Sequence, residues 1–208
     1  MILAIIGPPG SGKGTQAGKL AKLYKIPHIS IGELYRSIAK EHTEFGQKIR
    51  KVIVKGEIVP DEITNKIIKD RVTRLDCKKG FILDGYPRTI EQAKELEEFA
   101  EPDTVIYLDV PEEEIIKRLS KRRICPNCGA SFNLVTAPPK QDEICDFCGS
   151  KLVWREDDKP KAIRTRIKVQ DKMIKPVLEY YKNKGKLLVI NGNQSIESIF
   201  EEIRSRLK

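Results

Sequence analysis

The chain has little of what several common chemistries need. Its 208 residues include only two histidines, His28 and His42, one tryptophan and 6% aromatic residues. No set of Ser, His and Asp suggests nucleophilic hydrolysis, and no side chain stands out as a general base. No apolar run approaches the about 20 residues that cross a bilayer, and no charged segment with an apolar core precedes Met1. With a strand beginning at Ile2, the N-terminus reads as native and the protein as cytoplasmic, without a membrane. Internal repeats and low-complexity tracts are also missing. What remains is a length sufficient for one substantial core with a small inserted module. The net charge of +9 with 33% charged residues fits a nucleic acid, an anionic membrane surface or polyanionic small substrates.

The first fifteen residues say which. Met1-Ile2-Leu3-Ala4-Ile5-Ile6 is an apolar run that breaks into Gly7-Pro8-Pro9-Gly10-Ser11-Gly12-Lys13-Gly14-Thr15. A buried strand, a glycine-rich loop and a helix form the arrangement that cradles phosphates. Glycines let consecutive backbone N–H groups converge on one anion, and Lys13 adds a point charge toward the outer phosphates. Gly14 stands where this loop usually has Ser or Thr, and the hydroxyl follows at Thr15. Plain turns are also glycine-rich, but they lack the strand, helix and lysine.

Strand-like runs at 1–6, 80–84, 104–110 and 187–191, with a short fifth at 27–30, alternate with helical patterns. The helices are expected at 12–24, 32–40, 44–54, 61–75, 89–99, 112–123, 161–184 and 195–207. Such alternation predicts an α/β fold, a five-stranded parallel sheet flanked by helices. Asp61 reads as a helix N-cap. Residues 30–59 are helical without a strand and read as a flap; residues 124–158 are rich in Cys, Pro and Gly and read as an inserted mini-domain.

Cys125-Pro126-Asn127-Cys128-Gly129 and Cys145-Asp146-Phe147-Cys148-Gly149 are two matched knuckles sixteen residues apart. This spacing suits a four-thiolate zinc site, and a module too small for its own core would take folding energy from the metal. A pair of disulfides or a redox dithiol is the alternative. Four thiolates leave no open position, so the metal would be structural. Cys77 reads as an apolar filler near a helix end.

Phe81-Ile82-Leu83-Asp84-Gly85-Tyr86-Pro87-Arg88 ends a strand where ligands sit in parallel sheets. Asp84 could organise Mg²⁺ through its waters, or only cap a turn. Arg118, Arg122, Arg123, Arg155, Arg164 and Arg166 bracket the cysteine module, and Arg164 and Arg166 point different ways on a helix. An ionised phosphomonoester needs no general base as acceptor. Phosphoryl transfer to it needs alignment, charge neutralisation and exclusion of water, which Lys13, the arginines, Mg²⁺ and two closing flaps would supply.

The chain thereby resembles the nucleoside monophosphate kinases, and among them the long-form adenylate kinases with a zinc-binding lid. The resemblance covers essentially the whole length and rests on residues 7–15, 29–36, 81–92, 122–129, 145–149 and 155–158. It implies a P-loop core (1–29, 60–121 and 159–208), an AMP-binding flap (30–59) and a zinc-binding lid (122–158). ATP would lie on residues 10–15, with Arg118 stacked on its adenine, Arg122 on its phosphates, the backbone of Ser131 and Phe132 against it and the carbonyl of Gln194 at its base. AMP would meet Ile31, Gly32, Arg36, the backbone of Glu57, Ile58 and Val59, then Gly85, Tyr86, Pro87, Arg88 and Gln92, with Arg88 on its phosphate. Arg155 and Arg166 would bridge the transferred group, and Asp157 and Asp158 would be hinge acids drawing in Arg122 or Arg123. The implied reaction is Mg·ATP + AMP ⇌ 2 ADP, run by a monomer. Ile31 stands where bacterial members usually have Thr, which puts acceptor-base choice in question. Lys159-Pro160-Lys161 replaces a more acidic stretch and reads as a surface variation. Competing readings are a kinase for UMP or CMP or one with a GTP donor, which the long lid disfavours. A nucleic-acid-binding ATPase is a third, but only Phe132, Phe147 and Trp154 lie on the cysteine module, among Asp142, Glu143 and Asp146.

Overall fold

In the computed structural model, residues 1–207 are described, with the side chain of Lys161 excepted. Any role for that side chain, and the last residue of the expected core, lie outside the described residues. Five strands form one sheet: β1 (Ile2–Ile6), β2 (His28–Ser30), β3 (Phe81–Asp84), β4 (Thr104–Asp109) and β7 (Leu187–Asn191). Their order is β2-β3-β1-β4-β7, and every pairing is parallel. Strand alternation assigns the two faces. Leu3, Ile5, Ile82, Ile106 and Ile190 pack under α1 (Lys13–Tyr24) and α8 (Ile196–Arg206). Ala4, Ile6, Leu83 and Val105 pack on the opposite side, with Ile68 from α4 (Asp61–Val72), Leu96 from α5 (Ile90–Ala100) and Val177 and Tyr181 from α7 (Pro160–Asn183). Covering both faces explains why these strands read as continuous apolar runs.

Two excursions leave the sheet. Between β2 and α4 the chain makes α2 (Ile31–Lys40) and α3 (Glu44–Lys55), packed on each other. Thr43 starts α3 by accepting from the Gly46 N–H at 2.9 Å, satisfying one of the donors a helix start leaves free. After α6 (Glu112–Ser120) comes a hairpin of β5 (Arg122–Ile124) and β6 (Ser131–Asn133), antiparallel, with Val153 bridged to Ile124. Cys125, Phe132, Cys145 and Leu152 form its small core.

Three local expectations are corrected. The helix over 112–123 ends at Ser120. Nothing in Lys121-Arg122-Arg123 breaks a helix, but the edge of β6 claims those residues for a strand. The helix over 61–75 stops at Val72, and a 3-10 turn at Leu75–Cys77 follows. Asp61 is the first helical residue and Pro60 the cap, so the Asp61 side chain is turned to other partners. Cys77 is buried in that 3-10 turn, where its sulfur accepts from Arg71 at 3.1 Å.

Candidate active site

The loop after β1 is built to turn tightly beside β4. A Cβ on Gly7 would lie 2.7 Å from the Leu108 carbonyl oxygen, and Gly12 takes a left-handed conformation (φ +92) to start α1. Lys13 is folded back into this loop, donating to the carbonyls of Gly7 at 2.9 Å and Pro8 at 2.7 Å. Burial, reinforced by the nearby Arg88, Arg166 and Arg122 and opposed by Asp84, pushes its pKa down to about 7. Gly14 faces Asp84: a Cβ there would sit 3.3 Å from Asp84 Oδ2. That contact gives a reason for glycine where Ser or Thr is usual, because a larger residue would crowd the carboxylate.

Asp84 ends β3, and its Oδ2 lies 3.2 Å from His28 Nε2. Burial raises its pKa, but the hydrogen bond from His28 and the charge of Lys13 outweigh that and hold it below the usual carboxylate range. His28 was missed in the sequence, where it reads as an ordinary strand residue; its partner lies 56 residues away on the next strand, β3, and gives no local signal. Next to Asp84, Arg88 donates Nε–H to the Gly85 carbonyl at 2.7 Å, and burial lowers its pKa. Gly7, Lys13, Ile58, Gly85, Pro87 and Arg88 line a cavity of about 350 Å³.

The flap of α2 and α3 contributes Arg36, whose guanidinium lies over Gly32 with Nη1 3.2 Å from a Cβ placed there. Ile31 is 1% exposed and has no polar side-chain atom. Val59 is buried, Ile58 faces the cavity and Glu57 is exposed. Tyr86 is fully buried, its hydroxyl donating to Asn65 Oδ1 at 2.8 Å, which places its side chain in the core. Gln92 is tied to the Arg88 N–H at 2.8 Å.

On the other side, Arg118 is held by Glu114 at 2.8 Å and by the Gly192 carbonyl at 3.0 Å. Gln194, on the loop after β7, is exposed and bonds the Asn191 carbonyl and Glu202. Ser131 is exposed, whereas the Phe132 ring is spent on the hairpin core.

A hub of charge joins hairpin to helix. Asp158, with no exposed surface, accepts from Arg122 Nε at 2.7 Å and Nη2 at 2.5 Å and from Arg166 at 3.1 Å. Arg166 also pairs with Asp157 at 3.2 Å. Burial raises the pKa of Asp157, and Arg166, Arg155, Arg122 and Arg36 together bring it below its ordinary value. Of the two arginines considered for these acids, Arg122 meets them; Arg123 donates to the Ser120 and Arg122 carbonyls and lies over Trp154 at 5.7 Å. Arg155 is pushed down to about 9 by burial and by the charges of Arg122 and Arg36. Its Nε is buried with no hydrogen-bond partner among the described residues. Arg164, two residues from Arg166, is exposed and lines a separate surface hollow with Pro160 and Lys168.

Lys13, Arg36, Arg88, Arg122, Arg155 and Arg166 are close enough to perturb one another, as the causes of these shifts show. Such a gathering of positive charge is costly unless an anion of several charges enters it.

The four knuckle cysteines bring their sulfurs within 4.8 Å of one another. Cys125 and Cys148 Sγ are 3.4 Å apart, and Cys128 and Cys145 Sγ 3.5 Å. Disulfides require about 2.05 Å, and all four thiols are free. Tetrahedral Zn–S bonds of about 2.3 Å place sulfurs about 3.8 Å apart, close to the spacing found. Each knuckle closes with the same turn, Gly129 N–H to the Cys125 carbonyl and Gly149 N–H to the Cys145 carbonyl. The donor set fits a structural metal with no open position.

Comparison with known proteins adds its own finding. The family model described as "Adenylate kinase" matches residues 5–186. A protein of Caldanaerobacter subterraneus subsp. tengcongensis named "Adenylate kinase" is 48% identical over 212 residues, covering 100% of this chain and 96% of its own. One of the same name from Thermosipho africanus is 47% identical, covering 98% and 97%. Another from Thermoanaerobacter pseudethanolicus is 45% identical, covering 100% and 98%.

Proposed function

The chain belongs to the adenylate kinase family, and from that premise we propose that it transfers a phosphoryl group reversibly from Mg·ATP to AMP, giving two ADP. The observation that carries the reading is a cavity beside the phosphate loop lined by Lys13 and Arg88, with the charges of Arg36, Arg122, Arg155 and Arg166 gathered around these two. In this reading Gly10 to Thr15 cradle the donor phosphates through backbone N–H groups, and Lys13 gives up its carbonyl partners for their oxygens. Arg118 lies against the donor adenine, with Ser131, Phe132 and Gln194 supplying backbone contacts. Arg88 and Arg36 hold the acceptor phosphate between Gly32, the 57–59 backbone and the 85–87 turn. Arg122, Arg155 and Arg166 face the group in flight.

The chemistry needs only placement. An ionised oxygen of the acceptor phosphate attacks the terminal phosphorus of ATP, the bond to the bridging oxygen breaks, and that oxygen leaves carrying the charge on ADP. No proton moves. The guanidiniums neutralise charge that spreads over the equatorial oxygens. Mg²⁺, held through waters ordered by Asp84, would add to that neutralisation. Zinc is the metal best suited to the four cysteines, and would keep the lid folded.

The parts divide as a core (1–29, 60–121 and 159–208), an acceptor flap (30–59) and a lid (122–158). Because every residue named comes from one chain, a monomer suffices. Free thiols gathered for a metal suit the reducing cytoplasm.

The test is ADP formation from Mg·ATP with AMP, GMP, UMP or CMP, and with no acceptor. Turnover with AMP well above the others is expected. A pyrimidine preference would replace the reading with a related kinase, and acceptor-independent loss of ATP would refute transfer altogether.

A further inference from the structure

Bonded to the backbone of Arg88, which lines the cavity, is a buried amide, and its surroundings dictate which way round it lies. Gln92 is 1% exposed, in the first turn of α5. Its Oε1 accepts from the Arg88 backbone N–H at 2.8 Å, and its Nε2 donates to Asp61 Oδ1 at 2.7 Å. A backbone N–H can only donate and a carboxylate can only accept. Turning the amide over would set N–H against N–H and oxygen against oxygen.

The lock is itself anchored. Asp61 Oδ2 accepts from Thr89 Oγ1 at 2.8 Å, and that same oxygen caps α5 by accepting from the Gln92 N–H at 3.1 Å. Asp61 is free to do this because Pro60, not Asp61, caps α4.

An amide has two N–H groups and an oxygen with two lone pairs. With one of each used, Gln92 keeps one N–H and one lone pair, in a fixed order. Close to Gly85 and Arg88, Ile31 carries no polar side-chain atom, and the Tyr35 hydroxyl is paired with Thr64 Oγ1. Purine bases differ in the matching order. A 6-aminopurine presents a donor at position 6 and an acceptor at position 1, whereas a 6-oxopurine presents the reverse. An amide unable to turn serves one and rejects the other.

We infer that Asp61 is a positioning residue that sets acceptor-base choice by holding Gln92 against rotation. The inference rests on the acceptor reading proposed above. Because it acts through the orientation of Gln92, with Thr89 as a second anchor, it predicts a change in the ratio between purine acceptors and not merely in rate.

The experiment measures kcat/KM for AMP and GMP, together with Tm, in the unaltered protein and in Asp61→Ala, Asp61→Ser and Asp61→Asn. Alanine removes the acceptor; serine also removes it from reach but keeps a residue suited to a helix start, in case alanine does not fold. Both are expected to lower the AMP-to-GMP ratio by about tenfold or more, the worth of one good hydrogen bond to a charged group. Asparagine keeps an oxygen that can accept from Gln92, so its ratio should stay near that of the unaltered protein. A lowered Tm with an unchanged ratio in both truncations would show that Asp61 only steadies α4, and the inference would fall. Asparagine as relaxed as alanine would overturn it equally. Should the unaltered protein not use AMP, the proposed function falls and this inference with it; AMP turnover indifferent to Asp61 overturns the inference alone.

Discussion

Lys13 shows most directly how a single residue is made ready for a ligand. Its ammonium is held by loop carbonyls while burial and three arginines press it toward neutrality, down to about 7 against an ordinary 10.5. Between those two values the unfolded chain binds more protons than the folded one. The stability of the free protein therefore gains from this group as pH rises through that window, and the full penalty is felt below it. A polyphosphate entering the loop reverses the balance, because it favours the charged amine. Binding of a non-hydrolysable ATP analogue at pH 8 is expected to take up close to one proton, about what a shift from 7 to well above 9 requires. Titration calorimetry in buffers of different ionisation enthalpy reads this directly, and Lys13→Met should abolish the uptake. Uptake unchanged in that variant would assign the proton to another group. The lysine was legible in the sequence from the loop spacing. Its cage was not, because the depressing charges come from residues 88, 122 and 166, far along the chain.

At the scale of elements, the hairpin of β5 and β6 depends on its four cysteines. Its apolar core consists of Cys125, Phe132, Cys145 and Leu152, with Ala130 beside them, too little to outweigh the entropy of ordering some thirty residues. Two of those core residues are themselves sulfur donors, so a metal held there and the core would be one feature. Replacing a ligand, as in Cys125→Ser, should lower Tm on the order of 10 °C while changing initial turnover at modest temperature much less. Thermal melting and an initial-rate assay on the same preparation check this; lost turnover with unaltered melting would show that the cysteines do something other than hold the lid. The knuckles were plain in the sequence because both ligands of each lie within one turn. The end of α6 was not. Glu112 through Arg123 is uniformly helix-compatible, and only pairing of Arg122–Ile124 with Ser131–Asn133 ends the helix early. That pairing also places Arg122 on a strand, where both its fork nitrogens reach Asp158.

For the whole molecule, the two excursions from the sheet meet each other. Lys40 at the end of α2 donates to the Pro126 carbonyl at 3.5 Å, and Glu33 Oε1 lies 3.9 Å from a Cβ placed on Gly129. Farther in, a Cβ on Gly56 would lie 2.9 Å from Arg166 Cγ. The two excursions therefore touch across the site, and their full closure on substrates is what transfer without hydrolysis requires. The flap side chains at these contacts with the lid, Lys40 and Glu33, are polar, and ligand charges are expected to add to what holds the parts together. Amide hydrogen exchange over 31–40 and 126–129 is expected to slow by about tenfold or more when ATP and AMP analogues are bound together, and less with either alone. Equal protection by one analogue would mean that the flaps close independently.

Local pattern was enough for the phosphate loop, the parallel five-stranded sheet, the four-cysteine module and the family, since each is written in neighbouring residues with a period or spacing of its own. The apolar runs of β1, β3, β4 and β7 announced strands buried on both faces, and the glycines of 7–14 announced a loop that lets backbone approach an anion. Tertiary structure alone decided what joins residues far apart: His28 on Asp84, Asp61 on Gln92, and the choice of Arg122 over Arg123 for Asp158, with Arg166 as its second partner. The physical reason is the range of the forces involved. Propensity and periodicity act within a turn or two, whereas the orientation of a buried amide or the charge of a caged lysine is set by whichever donors and acceptors the fold carries to within about 3 Å of it.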